Sequence, residues 1–301
     1  MKTFDRLLER VKGKPKKTIA VAMAEEEEAL QAICKAHNEG VADAVLIGNR
    51  DDILRCADKH DCDVTEFDII HAEGERQSVV RAVQIVREHL ADAVMKGKCS
   101  TATLLRAVLD KEQGLRSGKL LSHLAAFELP TYPKLLFMSD AAMNIDPDIQ
   151  AKISITENAI EAVRSLGIER PKVAVIAAVE KVNYASMPCT VDAAVLSKLA
   201  ERGHFGEALV DGPLALDNAA SFKSCEIKGI DTEVGGDADI LIMPDIEAAN
   251  VFYKTLVYLG QARSAGIIIG AKVPIMLPSR ADSDEIKFQS IVLALSTSLR
   301  S

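Results

Sequence analysis

Ala93-Val94-Met95-Lys96-Gly97-Lys98-Cys99-Ser100-Thr101-Ala102-Thr103-Leu104-Leu105-Arg106 passes from a short apolar run, through a glycine, into a segment of helical period. The run predicts a strand ending at Met95, and Ser100 and Thr101 supply the N-cap chemistry of a helix running to about Lys111. Strand, glycine turn and capped helix are the βα step of a parallel sheet. That step sets unpaired backbone N–H groups at the C-terminal edge of the sheet, which is an anion site by geometry. Thr103 and Arg106 stand at i and i+3, so a guanidinium can lie on the face that meets the anion. An ordinary capped helix with a solvated Arg106 fits the same residues, and both readings stay open on this stretch alone. Cys99, at the helix N-terminus, is the one thiol whose setting could lower its pKa.

Outward from this step the same alternation recurs. Apolar runs at 18–23, 44–47, 67–71, 93–95, 120–127 and 134–138 predict a first set of strands, the last two as a hairpin or meander pair. A second set follows at 173–179, 208–210, 240–243, 266–269 and 274–277, again with helices between most of them. The pattern is that of an α/β fold with mostly parallel strands. The softest boundary is Ser139 to Pro147, where Asp140, Asn144, Asp146 and Pro147 interrupt the chain before a helix from Asp148 onward. The last strand and helix, 274–299, fit either half.

Forty-four Asp and Glu against thirty-six Lys and Arg give a net charge of −8, with no basic cluster beyond Lys12, Lys14, Lys16 and Lys17. This balance argues against nucleic acid or a membrane surface and for small-molecule partners. Apolar runs fall well short of the roughly 20 residues of a membrane helix. The N-terminus runs into a charged amphipathic stretch with no apolar leader core, so a cytoplasmic location is expected. Six scattered cysteines form no C-x-x-C pair, and neither H-E-x-x-H nor G-x-S-x-G occurs, so no metal site is expected.

Three further segments carry candidate chemistry. Pro274 to Ile286 is a strand followed by Ser279, Arg280, Asp282 and the start of a helix near Ser283. A hydroxyl, a five-donor guanidinium and a helix N-terminus suit a phosphate, and Asp282, Asp284 and Glu285 could move a proton. Asp282 and Glu285 equally have the spacing of a capping box. Asp211 to Ala219 reads as a turn carrying two acids. Gly236 to Lys254 holds Asp245 as a helix cap, with Asn250 and Lys254 on one face at i and i+4. Glu25 to Glu28 reads as a solvated helix start, and His204 as a cap or surface residue.

Taken together, these segments resemble the phosphate acetyltransferase and phosphate butyryltransferase family, from about Lys96 to the C-terminus. The strings are Lys96-Gly97-Lys98 with Ser100-Thr101-Ala102, Leu120-Leu121-Ser122-His123, Asp140-Ala141-Ala142-Met143-Asn144-Ile145, Asp211 to Ala219, and Ser279-Arg280-Ala281-Asp282-Ser283. They look particularly like the butyryl branch. The first 90 residues add little beyond the βα pattern.

The resemblance implies reversible acyl transfer between coenzyme A and inorganic phosphate, with both as substrates and no bound cofactor or metal. It implies a two-domain fold like isocitrate and isopropylmalate dehydrogenases, with an active-site cleft between the domains, as a homodimer or higher homo-oligomer. On this chain the first domain is then 1–142 plus 274–301 and the second 143–273. Arg280 would bind phosphate and Ser279 would hydrogen-bond in the transition state. Ser100, Thr101 and Thr103 would line the anion pocket with Arg106, and Lys96, Gly97, Asn250 and Lys254 join them as candidates for binding phosphate or coenzyme A. The acetyl members use an Asp beyond the Ser-Arg pair. This chain is about one residue shorter there, so Glu285, Asp284 and Asp282 all stay candidates. Acetyl- or propionyl-CoA, an acylated carrier protein, a metal-dependent dehydrogenase of the same fold and a non-catalytic acyl-CoA sensor are the competing functions, and an acyl-Cys99 intermediate is the rival to direct attack.

Overall fold

A computed structural model describes residues 1–298. The chain opens with α1 (Phe4–Val11), β1 (Lys17–Ala22), α2 (Glu27–Asn38), β2 (Ala42–Gly48), α3 (Arg50–Lys59), β3 (Asp68–His71), α4 (Gly74–Arg87), β4 (Ala93–Lys96) and α5 (Thr101–Val108). There follow β5 (Ser122–Glu128), β6 (Leu136–Ser139), α6 (Ile149–Ser165), β7 (Lys172–Ile176), α7 (Cys189–Glu201) and β8 (Leu209–Leu214). Next come α8 (Leu216–Ala220), α9 (Phe222–Lys228), β9 (Ile240–Ile242) and α10 (Ile246–Tyr258). The chain ends in β10 (Arg263–Ile269), β11 (Ile275–Met276) and α11 (Asp284–Thr297).

Contacts gather Phe4–Lys119 with everything described from Ala265 onward into an N-terminal unit, and Met1–Thr3 with Leu120–Ser264 into a middle unit. The sequence expectation divides the chain at 142/143 and 273/274, so the two divisions differ over β5, β6 and most of β10. Local break signals cluster at 139–147, but β5 and β6 pair with each other and β6 with β9. Residues 299–301 of the expected terminal segment lie outside the described residues.

In the N-terminal unit the strand order is β3-β2-β1-β4-β11-β10, with β10 antiparallel to β11 and the other pairs parallel. The chain steps outward from β1 to β2 to β3, then returns past β1 to lay down β4. Right-handed crossovers therefore put α2 and α4 on opposite faces. Helix α4 packs over β1, β2 and β4 and against α5, while α1 and α2 pack with α11. The reversal makes the β1/β4 junction a topological switch point, where the two βα loops diverge and leave a crevice at the carboxyl ends of the strands. Ile19–Ala22, Val94, Met95, Ile275 and Met276 are buried beneath it. Helix α11 is buried from Lys287 to Ser296, polar residues included.

The middle unit orders its strands β5-β6-β9-β7-β8, antiparallel at β5/β6 and parallel beyond. Phe127, Met138, Ala174 and Leu241 sit in its core. The expected turn from Asp211 is instead strand: β8 runs on through Leu214, with an irregularity opposite Ala174 and Ile176. Gly212 is there for close packing, since a Cβ would lie 2.7 Å from the Val175 carbonyl oxygen. Among the described residues no helix is long and apolar enough to cross a membrane.

Candidate active site

A pocket of about 410 Å³ opens at the β1/β4 switch point of the N-terminal unit, lined by Met23, Glu25, Glu26, Glu75, Lys98, Ser100 and Arg280. Three loops, β1–α2, β4–α5 and β11–α11, supply all of these but Glu75, which comes from the first turn of α4. The first two loops are stitched together, because Gly97 N donates to Ala22 O at 2.9 Å and Lys98 N to Met23 O at 2.9 Å. Gly97 is needed for this approach, as a Cβ on it would run into the Met23 carbonyl. These two N–H groups are therefore committed to the protein, whereas the sequence expectation has the turn's N–H groups free for an anion.

On the β4–α5 side the pocket is bounded by the start of α5. Ser100 caps the helix, its Oγ accepting from Thr103 N at 3.2 Å and its hydroxyl lying 2.9 Å from Thr103 Oγ1. Ser100 N donates to Glu75 Oε1 at 2.8 Å. Hydrogen bonds from Ser100 and Thr103 hold the Glu75 carboxyl below its usual range, with the Arg280 charge adding to the effect. Thr101 is exposed in the first turn, and Arg106 is exposed outside the pocket lining. Lys96 lies beneath at 4% exposure, its Nζ 3.3 Å from Gly97 O, and burial draws its pKa down. Cys99 is 1% exposed and its thiol is pushed up to about 11. Burial outweighs the helix N-terminus, opposite to the expectation from position alone.

On the β11–α11 turn, Ser279 N donates to Asp282 Oδ2 at 2.7 Å and Ala281 N to Ser279 Oγ at 3.3 Å. Asp282 thus closes the turn, and Ser283 rather than Asp282 caps α11, accepting from Ile286 N. The expected capping box does not form. Glu285 instead pairs with Lys35 and accepts from Gln289 Nε2 at 2.7 Å. Asp284 opens α11 outside the pocket lining. Burial raises the Asp282 carboxyl above its ordinary value, against the Ser279 N–H and the charges of Lys287 and Lys96.

Glu25 and Glu26 correct the expectation of a solvated helix start. Both line the pocket, and each has a buried Oε2 that accepts no hydrogen bond. Burial raises the Glu25 pKa. Glu26 Oε1 accepts from the fully buried Lys287 at 2.8 Å, with Glu28 at 3.7 Å. A buried ammonium requires such partners.

The structure thus brings Ser100 and Arg280 into one pocket, with Lys96 below it and Ser279 and Asp282 in the adjoining turn. Asn250 and Lys254 lie on α10 of the middle unit, which Asp245 caps as expected; Asn250 Nδ2 donates to Ala141 O at 3.2 Å and Lys254 is exposed. Sequence reasoning missed Glu75, Lys98 and the Glu26–Lys287 pair. Lys98 stands inside the motif itself, but the other three depend on contacts between distant segments. Among the described residues no group of three or more His, Cys, Asp or Glu is gathered as a metal site.

A doubly wound unit with a pocket of charged side chains and a capped helix start at its switch point defines an α/β protein with a ligand site at the carboxyl ends of its strands. Residues 2–79 and 73–295 match the family described as "Phosphate acetyl/butaryl transferase". A phosphate butyryltransferase of Clostridium acetobutylicum is 46% identical over 98% of this chain and 97% of its own length. A phosphate acetyltransferase of Thermotoga maritima is 42% identical over 97% and 98%. Among solved structures, a branched-chain phosphotransacylase of Enterococcus faecalis superposes with a TM-score of 0.82 at 34% identity, over 93% of this chain and 98% of that one. A 4-hydroxythreonine-4-phosphate dehydrogenase of Klebsiella pneumoniae, at 12% identity and a TM-score of 0.57 over 94% and 99%, shares the fold alone. The chain belongs to the phosphate acetyl/butyryl transferase family, and it is an acyltransferase.

Proposed function

We propose that this enzyme transfers a short acyl group, butyryl favoured, reversibly between coenzyme A and inorganic phosphate, by direct attack in a ternary complex. The observation that carries this reading is the convergence of Arg280, Lys98 and the start of α5 on one pocket. Phosphate is a weak nucleophile toward a thioester, so holding it beside the carbonyl carbon is most of the catalysis. A phosphate oxygen forms the new C–O bond, the C–S bond breaks, and its electron pair leaves on the coenzyme A sulfur. No electron is exchanged with a third partner, and the reaction as written calls for neither cofactor nor metal.

In this proposal Arg280 binds the phosphate and Ser279 hydrogen-bonds the developing charge. Ser100, Thr101 and Thr103 present the helix start, Gly97 shapes the turn, and Lys96 adds positive charge from below with Arg106 a turn further on. Asp282 is the favoured base toward the coenzyme A thiol in the reverse direction, since its proton affinity is raised and Glu285 is already paired with Lys35. Asp284 is the remaining candidate. Asn250 and Lys254 are the proposed contacts for coenzyme A on the middle unit. The reading carries with it the two-domain dehydrogenase-type plan with its cleft, a homodimeric state and a cytoplasmic setting.

The test is phosphate-dependent thiol release from acetyl-, butyryl- and isobutyryl-CoA with no metal added. Four-carbon substrates are expected to turn over fastest, and Arg280→Ala to lower kcat/KM for phosphate about 100-fold. Preference for acetyl-CoA would instead favour the acetyltransferase reading that the Thermotoga relative represents. Absence of phosphate-dependent release from all three would overturn the proposal.

A further inference from the structure

The pocket proposed to take phosphate contains a negative charge of its own. Of its three glutamates, Glu26 is bound to the buried Lys287, and one oxygen of Glu25 is tucked against Gly48, where a Cβ would collide with it. Glu75 differs from both. It comes from the first turn of α4, lines the pocket with Ser100 and Arg280, and has Oε1 fixed by the Ser100 N–H at 2.8 Å. Its carboxylate is held by the residue that caps α5, the helix whose first N–H groups, those of Thr101 and Ala102, helix geometry leaves without an intrahelical acceptor.

An oxyanion drawn in by Arg280, Lys98 and those N–H groups meets an ionised carboxylate within the same pocket. Two bare anionic oxygens in contact repel, and the repulsion grows as water is excluded. An oxyanion that carries a hydrogen turns the contact into a charge-assisted O–H···O⁻ bond, among the strong ones. Hydrogen phosphate has that hydrogen at neutral pH; sulfate, of nearly the same size, shape and charge, has none. From this arrangement we infer that Glu75 is a specificity-determining residue that accepts the P–OH of hydrogen phosphate and thereby excludes fully deprotonated oxyanions such as sulfate. The inference rests on the phosphate-acceptor reading of this pocket.

The experiment measures binding of inorganic phosphate and of sulfate to the whole protein by calorimetry, in parallel with sulfate inhibition of phosphate-dependent thiol release. The wild type is expected to bind phosphate at least about tenfold tighter than sulfate, as one charge-assisted hydrogen bond made or forbidden requires. Glu75→Gln keeps an acceptor for the Ser100 N–H but adds an amide donor, so phosphate binding weakens, sulfate binding tightens and the ratio collapses toward unity. Glu75→Ala, which removes the repulsion without adding a donor, narrows the ratio as well. Loss of both affinities in equal measure, or gain of both, would leave the ratio unchanged and overturn the assignment, as would a wild type that binds sulfate as tightly as phosphate. A wild type that discriminates between the anions yet releases no thiol would overturn the proposed reaction and leave the role of Glu75 standing.

Discussion

Gly97 and Met23 touch backbone to backbone: a Cβ on Gly97 would lie 2.9 Å from the Met23 carbonyl carbon and closer still to its oxygen. Both atoms belong to the main chain, so neither can yield by rotating a side chain. Gly97→Ala must therefore spread the two loops that carry Lys98, Ser100, Glu25 and Glu26. Overpacking of this kind costs about 1–3 kcal/mol, and a displacement near 1 Å at a positioning site costs about 100-fold in turnover. Steady-state kinetics alongside a denaturant melt would check both. Near-normal kcat in Gly97→Ala would show that the stitched loops do not position the chemistry.

How much of this was legible in the sequence follows from the range of the interactions. Strand, glycine turn and cap in 93–106 are local, and they appear within two or three residues of where they were expected. The start of α11 at Ser283 was equally local, although Ser283 rather than Asp282 supplies the cap. Four glutamates in a row look solvated when only neighbouring residues are considered. What engages Glu26 is Lys287, 261 positions away. Glu75 carries no local signal, because its partner Ser100 arrives only when β4 is laid down on the far side of β1. The expected domain limits and the contact units differ for a related reason, since break signals mark where the chain bends and not which strands pair.

The Glu26–Lys287 pair gives a stability prediction with a built-in control. Lys287 has no exposed side-chain area and Glu26 very little. Lys287→Met leaves a buried carboxylate uncompensated and should cost about 3–5 kcal/mol. Adding Glu26→Gln removes the orphaned charge, so the double variant should regain most of that loss. Urea melts of the two single variants and the double variant test this, and simple additivity of the single losses would show that the groups are not coupled.

Cys99 should be dispensable for turnover. Its thiol is buried, faces the Ala22 carbonyl at 3.7 Å and is held protonated well above neutral pH. An acyl-cysteine route needs the thiolate and an approach path. Cys99→Ala is expected to keep kcat within about threefold and to lose about 1 kcal/mol of stability from the packing defect. A variant that folds normally but loses turnover 100-fold would revive the covalent route.

Asp282 carries a pH signature whose sign can be worked out. Its carboxyl is raised in the folded state, chiefly by burial, despite the Ser279 N–H and the nearby Lys287 and Lys96, while Glu26 pushes the same way as burial. In the window between the ordinary carboxylate value and the raised one, the folded chain binds more protons than the unfolded chain, so the stability this group contributes is present at low pH and is lost as pH rises through that window. Asp282→Asn cannot titrate but still offers an acceptor to Ser279 N. The variant should therefore gain on the wild type in thermal midpoint as pH climbs from the acid side toward neutrality, and the difference should level off once the wild-type carboxyl is fully ionised. A difference that stays flat across the series would mean that Asp282 titrates like an exposed carboxylate. If Asp282 is also the base toward the coenzyme A thiol, the same variant should lose thiol acylation by acyl phosphate more than it loses phosphate affinity, separating its chemistry from its place in the turn.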